Sequence, residues 1–241
     1  MNIVITMAGR GSRFRAEGYA EPKYMIKVRG SSLFAWSMKS LESYLKNSSI
    51  YFVCVKDTYD KAFIAAECSA LGIADYEVCL LDDFTDGQAT TAKHVIDSIS
   101  DSESILIFNI DTHVSPKWLN WDFIDTGYSG WIPCFRAPGD HWSFVDVDDH
   151  GFAKKVVEKE RISELATVGL YWFKNSRSYI DSYKSTYGSA LDSSGEKYIA
   201  PMYNAIINDG GLVKVSELPL STIIALGTPK EVQEYLRGFN N

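Results

Sequence analysis

The sequence predicts an α/β fold with a doubly wound, mostly parallel sheet, and three observations carry that expectation. Apolar runs rich in β-branched residues recur without polar alternation at Ile3-Val4-Ile5, at 50–55 and at Ile105-Leu106-Ile107-Phe108, the mark of strands covered on both faces. Segments of helical period separate them, and alternation of this kind implies right-handed crossovers and parallel pairing. A chain of 241 residues that is 46% hydrophobic can also bury a large core, so a single domain over 1–241 is expected.

Taken in order, the first strand stops at the glycine loop Ala8-Gly9-Arg10-Gly11-Ser12. Residues 24–28 read as a short strand, and Ser32 as the cap of a helix on which Phe34, Met38, Leu41 and Leu45 recur. The second buried strand is 50–55. Phe63, Ala66 and Ala70 mark the next helix, which Gly72 ends. A strand over 76–81, a helix over 90–99 and a strand over 104–109 follow. In such sheets ligands sit beyond the carboxyl ends of the strands, where the glycine loop and Asp111 both fall.

The second half is richer in aromatic and β-branched residues. Asp148-Asp149-His150-Gly151 reads as a hairpin turn between strands at 144–147 and 153–157. A strand is expected over 168–173, helices over 176–187 and 197–208, and a last strand near Ile223-Ile224. Thr228 then fits a helix N-cap, Pro229 the first helical position and Glu231 a capping-box partner.

Charge and composition narrow the function. The net charge is −7 and the isoelectric point about 5.1, which argue against a nucleic-acid surface. Cys54, Cys68, Cys79 and Cys134 are scattered without Cys-x-x-Cys pairing, so they read as reduced core thiols rather than a zinc site or disulfide framework. Met1-Asn2 leads straight into the first strand, which predicts no signal peptide. No apolar run approaches the roughly 20 residues of a membrane span. The expectation is a cytoplasmic protein that binds small molecules, without nucleic acid or membrane; a homo-oligomer stays open.

The first 30 residues depart from this acidic background. Arg10, Arg13, Arg15, Lys23, Lys27 and Arg29 stand there against Glu17 and Glu21 alone. Gly9 and Gly11 let bare backbone N–H groups approach a ligand, and turns lined with amides favour anions. Arg13 can clamp phosphate oxygens bidentately, while Lys23 can act as a mobile point charge. The expected ligand is a polyanionic small molecule.

Gly9-x-Gly11-Ser12-Arg13-Phe14 followed by Pro22-Lys23 resembles the signature loop of sugar-phosphate nucleotidyltransferases, closest to the short capsule-cluster type of nucleoside-triphosphate transferase. Generic phosphate loops do not fit. Phe14 stands where the dinucleotide fingerprint needs a third glycine, and no Gly-Lys-Ser/Thr exists for a P-loop. The resemblance implies a Rossmann-like, GT-A-like fold, with a nucleotide-binding half over 1–115 and a β-rich acceptor-binding half over 116–241. It implies condensation of a nucleoside triphosphate, pyrimidine by expectation (CTP, UTP or dTTP), with a phosphorylated sugar, polyol or choline-type acceptor. Pyrophosphate would leave, and the activated product would serve surface polysaccharide synthesis.

The same resemblance distributes roles. Ala8, Gly9, Gly11, Ser12 and Arg13 would hold the triphosphate, and Gly87 and Gln88 the base. Asp111, closing the fourth strand, would hold Mg²⁺. Lys159 would take the acceptor's phosphate and Glu158 its hydroxyl groups. Thr167 and Gly169 would line the acceptor pocket, with Asn204, Tyr203, Glu196, His141, Trp142 and Ser143 as weaker candidates. Arg13, Lys23, Asp111 and Lys159 would form the catalytic set.

One departure bears on the metal. The family's usual second carboxylate lies just ahead of a Gly-Thr dipeptide, and Ala225 occupies that place before Gly227-Thr228. Mg²⁺ then rests on Asp111 and substrate phosphates, or another carboxylate substitutes, or activity is lost. Two alternatives follow: a non-catalytic nucleotide-binding subunit, and a glycosyltransferase using Asp111-Thr112-His113 as a variant Asp-x-Asp motif.

Overall fold

The structure is a computed structural model and describes residues 1–119, 127–188 and 195–238. The first half contains β1 (Asn2–Thr6), α1 (Ser12–Ala16), β2 (Lys27–Val28), β3 (Ser31–Ser32), α2 (Leu33–Ser40), β4 (Ser49–Val55), α3 (Lys61–Leu71), β5 (Tyr76–Leu81), α4 (Gln88–Ile96), β6 (Ile105–Asn109) and β7 (Thr112–Val114). The second half contains β8 (Gly130–Arg136), β9 (Ser143–Val147), β10 (Ala153–Glu158), β11 (Leu165–Thr167), β12 (Leu170–Phe173), α5 (Ser176–Tyr187), α6 (Tyr203–Asn208), β13 (Val213–Glu217), β14 (Ile223–Ala225) and α7 (Pro229–Arg237).

Ten strands form one sheet in the order β10-β9-β11-β8-β12-β6-β1-β4-β5, with β13 alongside β8. The parallel part is β6-β1-β4-β5, in a register that sets Thr6 beside both Asn109 and Val53. Antiparallel β12 joins it to the strands of the second half. Helices cover both faces, so successive residues of one strand are buried on opposite sides. Ile3, Ile5, Phe52 and Phe108 pack with Phe34 and Met38 of α2 and Ile64 of α3. Val4, Val53, Ile105 and Ile107 pack with Ala92 of α4, Tyr179 of α5 and Ile206 of α6. That two-sided burial is why polar alternation is missing from the sequence. A third cluster, Phe14, Ile26, Val28, Leu33, Leu226 and Val232, holds α1 against α7.

The structure redraws several expected elements. Residues 24–28 are not one strand: Lys23–Met25 makes a 3₁₀ turn, and β2 is only two residues long. Arg29 and Gly30, with φ of 53° and 79°, reverse the chain at once into β3, the geometry of the tightest hairpins. Helix α2 ends at Ser40, and Leu45 belongs to a separate 3₁₀ turn. The strand expected over 168–173 starts earlier as β11 and is interrupted at Val168-Gly169, where Gly169 takes φ 79°. Only Tyr203–Asn208 is α-helical within 197–208, because Pro201 lacks the N–H that an interior helical turn needs. Thr228 Oγ1 does cap α7, accepting from Glu231 N at 3.2 Å. The Glu231 carboxylate, however, lies 3.4 Å from His141 Nε2 rather than completing a capping box.

Two acceptor candidates are framework residues. Tyr203 is wholly buried, donates to the Trp172 carbonyl at 2.8 Å and stacks on Phe173 with ring centroids 4.5 Å apart. Asn204 accepts from Val156 N at 2.9 Å and donates to Val156 O at 2.7 Å. Its carboxamide thus stands in for a missing strand neighbour at buried Val156 of the edge strand β10. Asn204→Ala should therefore cost about 1–3 kcal/mol, the penalty of stranding buried backbone groups, read as a lower urea midpoint at constant slope. The KM for the acceptor should stay at the wild-type value.

Candidate active site

A cleft of about 1010 Å³ opens where β1 and β6 end. The glycine loop, the Gly87-Gln88 turn, Asp111 and the Glu158-Lys159 pair all line it, as do Arg13, Lys23, Thr167 and Gly169. Asn204 does not. Gly11 makes the turn into α1 in the left-handed region, φ 61° and ψ 26°, which a side-chain-bearing residue adopts at a cost of roughly 1–2 kcal/mol. The loop is tied across the cleft by the Arg10 guanidinium, 4.4 Å above the Phe84 ring.

Gly87 answers to a packing need. With φ 152°, it lies so close to the backbone of Lys197 that a Cβ would overlap it. Lys197 N donates to Asp86 O at 2.8 Å, Ala89 N donates to Lys197 O at 3.0 Å, and the Lys197 ammonium is 2.7 Å from Asp86. The missing side chain at Gly87 thus admits the Lys197 backbone, while Gly87 itself also lines the cleft. Gln88 Nε2 donates to Thr6 Oγ1 at 3.1 Å, which fixes the carboxamide over the end of β1.

Lys23 Nζ reaches Asp111 Oδ2 at 2.6 Å and the Gly227 carbonyl at 3.0 Å. His113, by contrast, is turned away from the cleft. Its Nδ1 is 2.9 Å from Trp36 O and 3.3 Å from Ser40 Oγ, and burial lowers its pKa. Asp111 and Thr112 line the cleft and His113 does not, so the last member of the Asp111-Thr112-His113 motif is not placed beside the first.

At the far end, Glu158 is 14% exposed and accepts a hydrogen bond from Ser143. Burial raises its pKa, against the Ser143 hydrogen bond and the Lys159 charge, which pull it down. Lys159 takes φ 55°, strained for a residue other than glycine. Its ammonium donates to the Tyr198 hydroxyl, lies 4.4 Å above that ring, and is 3.8 Å from Glu158 and 4.0 Å from Glu196. Tyr198 in turn donates to Glu196. No sequence signal singles out Tyr198, because only the tertiary fold brings it to Lys159. Thr167 is hydrogen-bonded to the Tyr171 hydroxyl at 2.9 Å. The space a side chain at Gly169 would fill is held by the Asn109 carboxamide.

Among the described residues no three His, Cys, Asp or Glu side chains cluster closely enough to hold a metal unaided. The donors at Asp111 nevertheless suit Mg²⁺. A carboxylate and a carbonyl oxygen already grip a cation there, the Lys23 ammonium, and Mg²⁺ favours one or two carboxylates completed by phosphate oxygens.

A nucleoside-diphosphate-sugar pyrophosphorylase from Vibrio cholerae RC9 superimposes on this chain with a TM-score of 0.87 and 32% identity, over 98% of this chain and 99% of that one. The chain belongs to the sugar-phosphate nucleotidyltransferase family. It is an enzyme of the pyrophosphorylase type. The inositol-1-phosphate CTP transferase of T. maritima shares the fold, with a TM-score of 0.79 at 16% identity, over 98% of this chain and 93% of that one. No protein-family model and no curated protein matches the chain. No helix among the described residues is long and apolar enough to cross a membrane.

The buried carboxylate gives the nucleotidyltransferase a pH signature. Because the folded pKa of Glu158 is raised, its ionised form is disfavoured by folding. The resulting stability is fully present below the unfolded pKa of about 4.3 and is lost as pH rises through the folded value. Glu158→Gln should accordingly be more stable than wild type at pH 7, and the difference should shrink as pH falls toward 4, in paired thermal melts.

Proposed function

We propose that the cleft joins a pyrimidine nucleoside triphosphate to a phosphorylated sugar or a polyol- or choline-type phosphate. The products are the nucleoside-diphosphate-activated acceptor and pyrophosphate, for surface polysaccharide synthesis in the cytoplasm. The observation that carries this reading is the joining of cationic groups from both halves of the chain in one cleft. Arg13 and Lys23 line it from the first half and Lys159 from the second, with the Asp111 carboxylate in the same space. On this reading 1–115 and 116–241 are the nucleotide-binding and acceptor-binding halves of a single domain.

The acceptor needs no general base, since its phosphate is already ionised near neutral pH. One of its oxygens attacks the α-phosphorus, the bond from that phosphorus to the bridging oxygen breaks, and pyrophosphate departs with the electron pair. Catalysis then comes from positioning and charge neutralisation. The backbone at Ala8, Gly9, Gly11 and Ser12 receives triphosphate oxygens, and Arg13 clamps them in fork geometry. Lys23 swings from Asp111 to the phosphates. Gln88 offers donor and acceptor to a pyrimidine edge. Lys159 holds the acceptor phosphate, Glu158 with Ser143 accepts from acceptor hydroxyls, and Thr167 and Gly169 wall the pocket. Asp111 would hold a divalent ion, which when bound would supply further neutralisation of the triphosphate.

A pyrophosphate-release screen of four triphosphates against a panel of phosphorylated sugars, polyols and choline phosphate tests the proposal. Release should appear with a pyrimidine triphosphate and one acceptor class, and should vanish in EDTA. Binding without release on any acceptor would overturn it in favour of a non-catalytic nucleotide binder. Arg13→Ala and Lys23→Ala should each lower kcat on the order of 10²–10³-fold, as loss of a charged transition-state contact does. Lys159→Ala should raise the acceptor KM while calorimetry shows the triphosphate Kd unchanged.

A further inference from the structure

We propose that Glu231 supplies the second carboxylate of the metal site, in the role that Ala225 leaves empty. The inference rests on the proposed triphosphate reaction and adds a residue to it. Pairing of β14 with β7 sets Ala225 opposite Thr112, and Leu226 N donates to Asp111 O at 2.9 Å. This fixes Gly227 beside the Asp111 carboxylate. A point one bond out from the Gly227 Cα, where a side chain would begin, is 3.2 Å from Asp111 Oδ2 and 3.3 Å from Glu231 Oε2. Both carboxylates therefore border the same point beside Gly227.

Glu231 is held in that attitude. Its side chain is only 15% exposed, its own N–H is tied to Thr228, and the next residue, Val232, is anchored in the cluster that joins α1 to α7. Its first oxygen faces His141, which leaves Oε2 toward Asp111. Two neighbouring carboxylates repel, and the Lys23 ammonium, bonded to Asp111 and the Gly227 carbonyl, relieves that repulsion. When Lys23 transfers to triphosphate oxygens, the pair loses its counter-charge. A divalent cation restores it, and hard carboxylate oxygens are the donors Mg²⁺ selects.

The test measures metal binding directly. Mn²⁺ is titrated into the enzyme alone and into enzyme saturated with the α,β-methylene analogue of the triphosphate chosen by the release screen, and the free-ion EPR signal is followed. Glu231→Gln should raise the Mn²⁺ Kd of the nucleotide complex by about 10–100-fold, the loss typical of removing a supporting carboxylate. Binding of the analogue without metal should not change. Adding Ala225→Asp to Glu231→Gln should recover the Mn²⁺ affinity, which a purely structural Glu231 would not allow. Thr228→Ala serves as the helix-cap control and should lower the melting temperature with little effect on Mn²⁺. Mn²⁺ affinity within about twofold of wild type in Glu231→Gln would overturn the assignment. Failure of the wild-type enzyme to bind the analogue at all would instead overturn the proposed function beneath it.

Discussion

The ion pair between Lys23 and Asp111 gathers the site from three remote stretches of chain. Lys23 follows the glycine loop, Asp111 follows β6, and the third partner, the Gly227 carbonyl, precedes α7. Their side chains are 19% and 23% exposed, so the pair is neither freely solvated nor sealed in the core. A pair in that setting is a modest source of stability, because desolvation offsets much of the attraction. Its larger consequence is placement. It keeps a cation and a carboxylate in contact at the focus of the parallel strands, where an anionic substrate can draw the cation away.

The sheet makes that focus possible. Parallel β1 and β6 end side by side, so the segments that follow them leave in the same direction. Antiparallel β12 then carries the sheet into the second half, bringing the Glu158-Lys159 corner to the same opening. Arg13 and Lys23 from the first half and Lys159 from the second thereby meet at one opening, interleaved with the carboxylates of Asp111 and Glu158. The left-handed backbone at Lys159 fits this picture. The fold accepts local strain to aim one ammonium across the cleft.

Much of this was legible beforehand, and the limits have physical causes. Strands β1, β4 and β6 announced themselves because burial on both faces removes polar residues. The loop announced itself because glycines beside arginines have few other uses. Strand β8 was harder to see: Gly130 and Pro133 disfavour a central strand, yet β8 pairs with β11, β12 and β13. Gly87 and Gly169 both line the cleft, and each also makes room for protein, the Lys197 backbone and the Asn109 side chain. A sequence shows that space is needed but not what fills it. Glu231 fits a capping-box partner by a local rule for the same reason, since its contact with His141 is long-range and leaves no mark in the sequence.

The seam at Gly87 has a consequence for how such enzymes diversify. The turn that opens α4 and the segment that carries Glu196 and Tyr198 are joined by two backbone hydrogen bonds and an ion pair, with no room for even a methyl group between them. Neither can drift in conformation while the other stays put. Grafting a relative's 195–198 segment onto this scaffold would also import that relative's preference at the 86–89 turn, or jam against it. Exchange of either segment is thus an exchange of both, because the seam ties their backbones together.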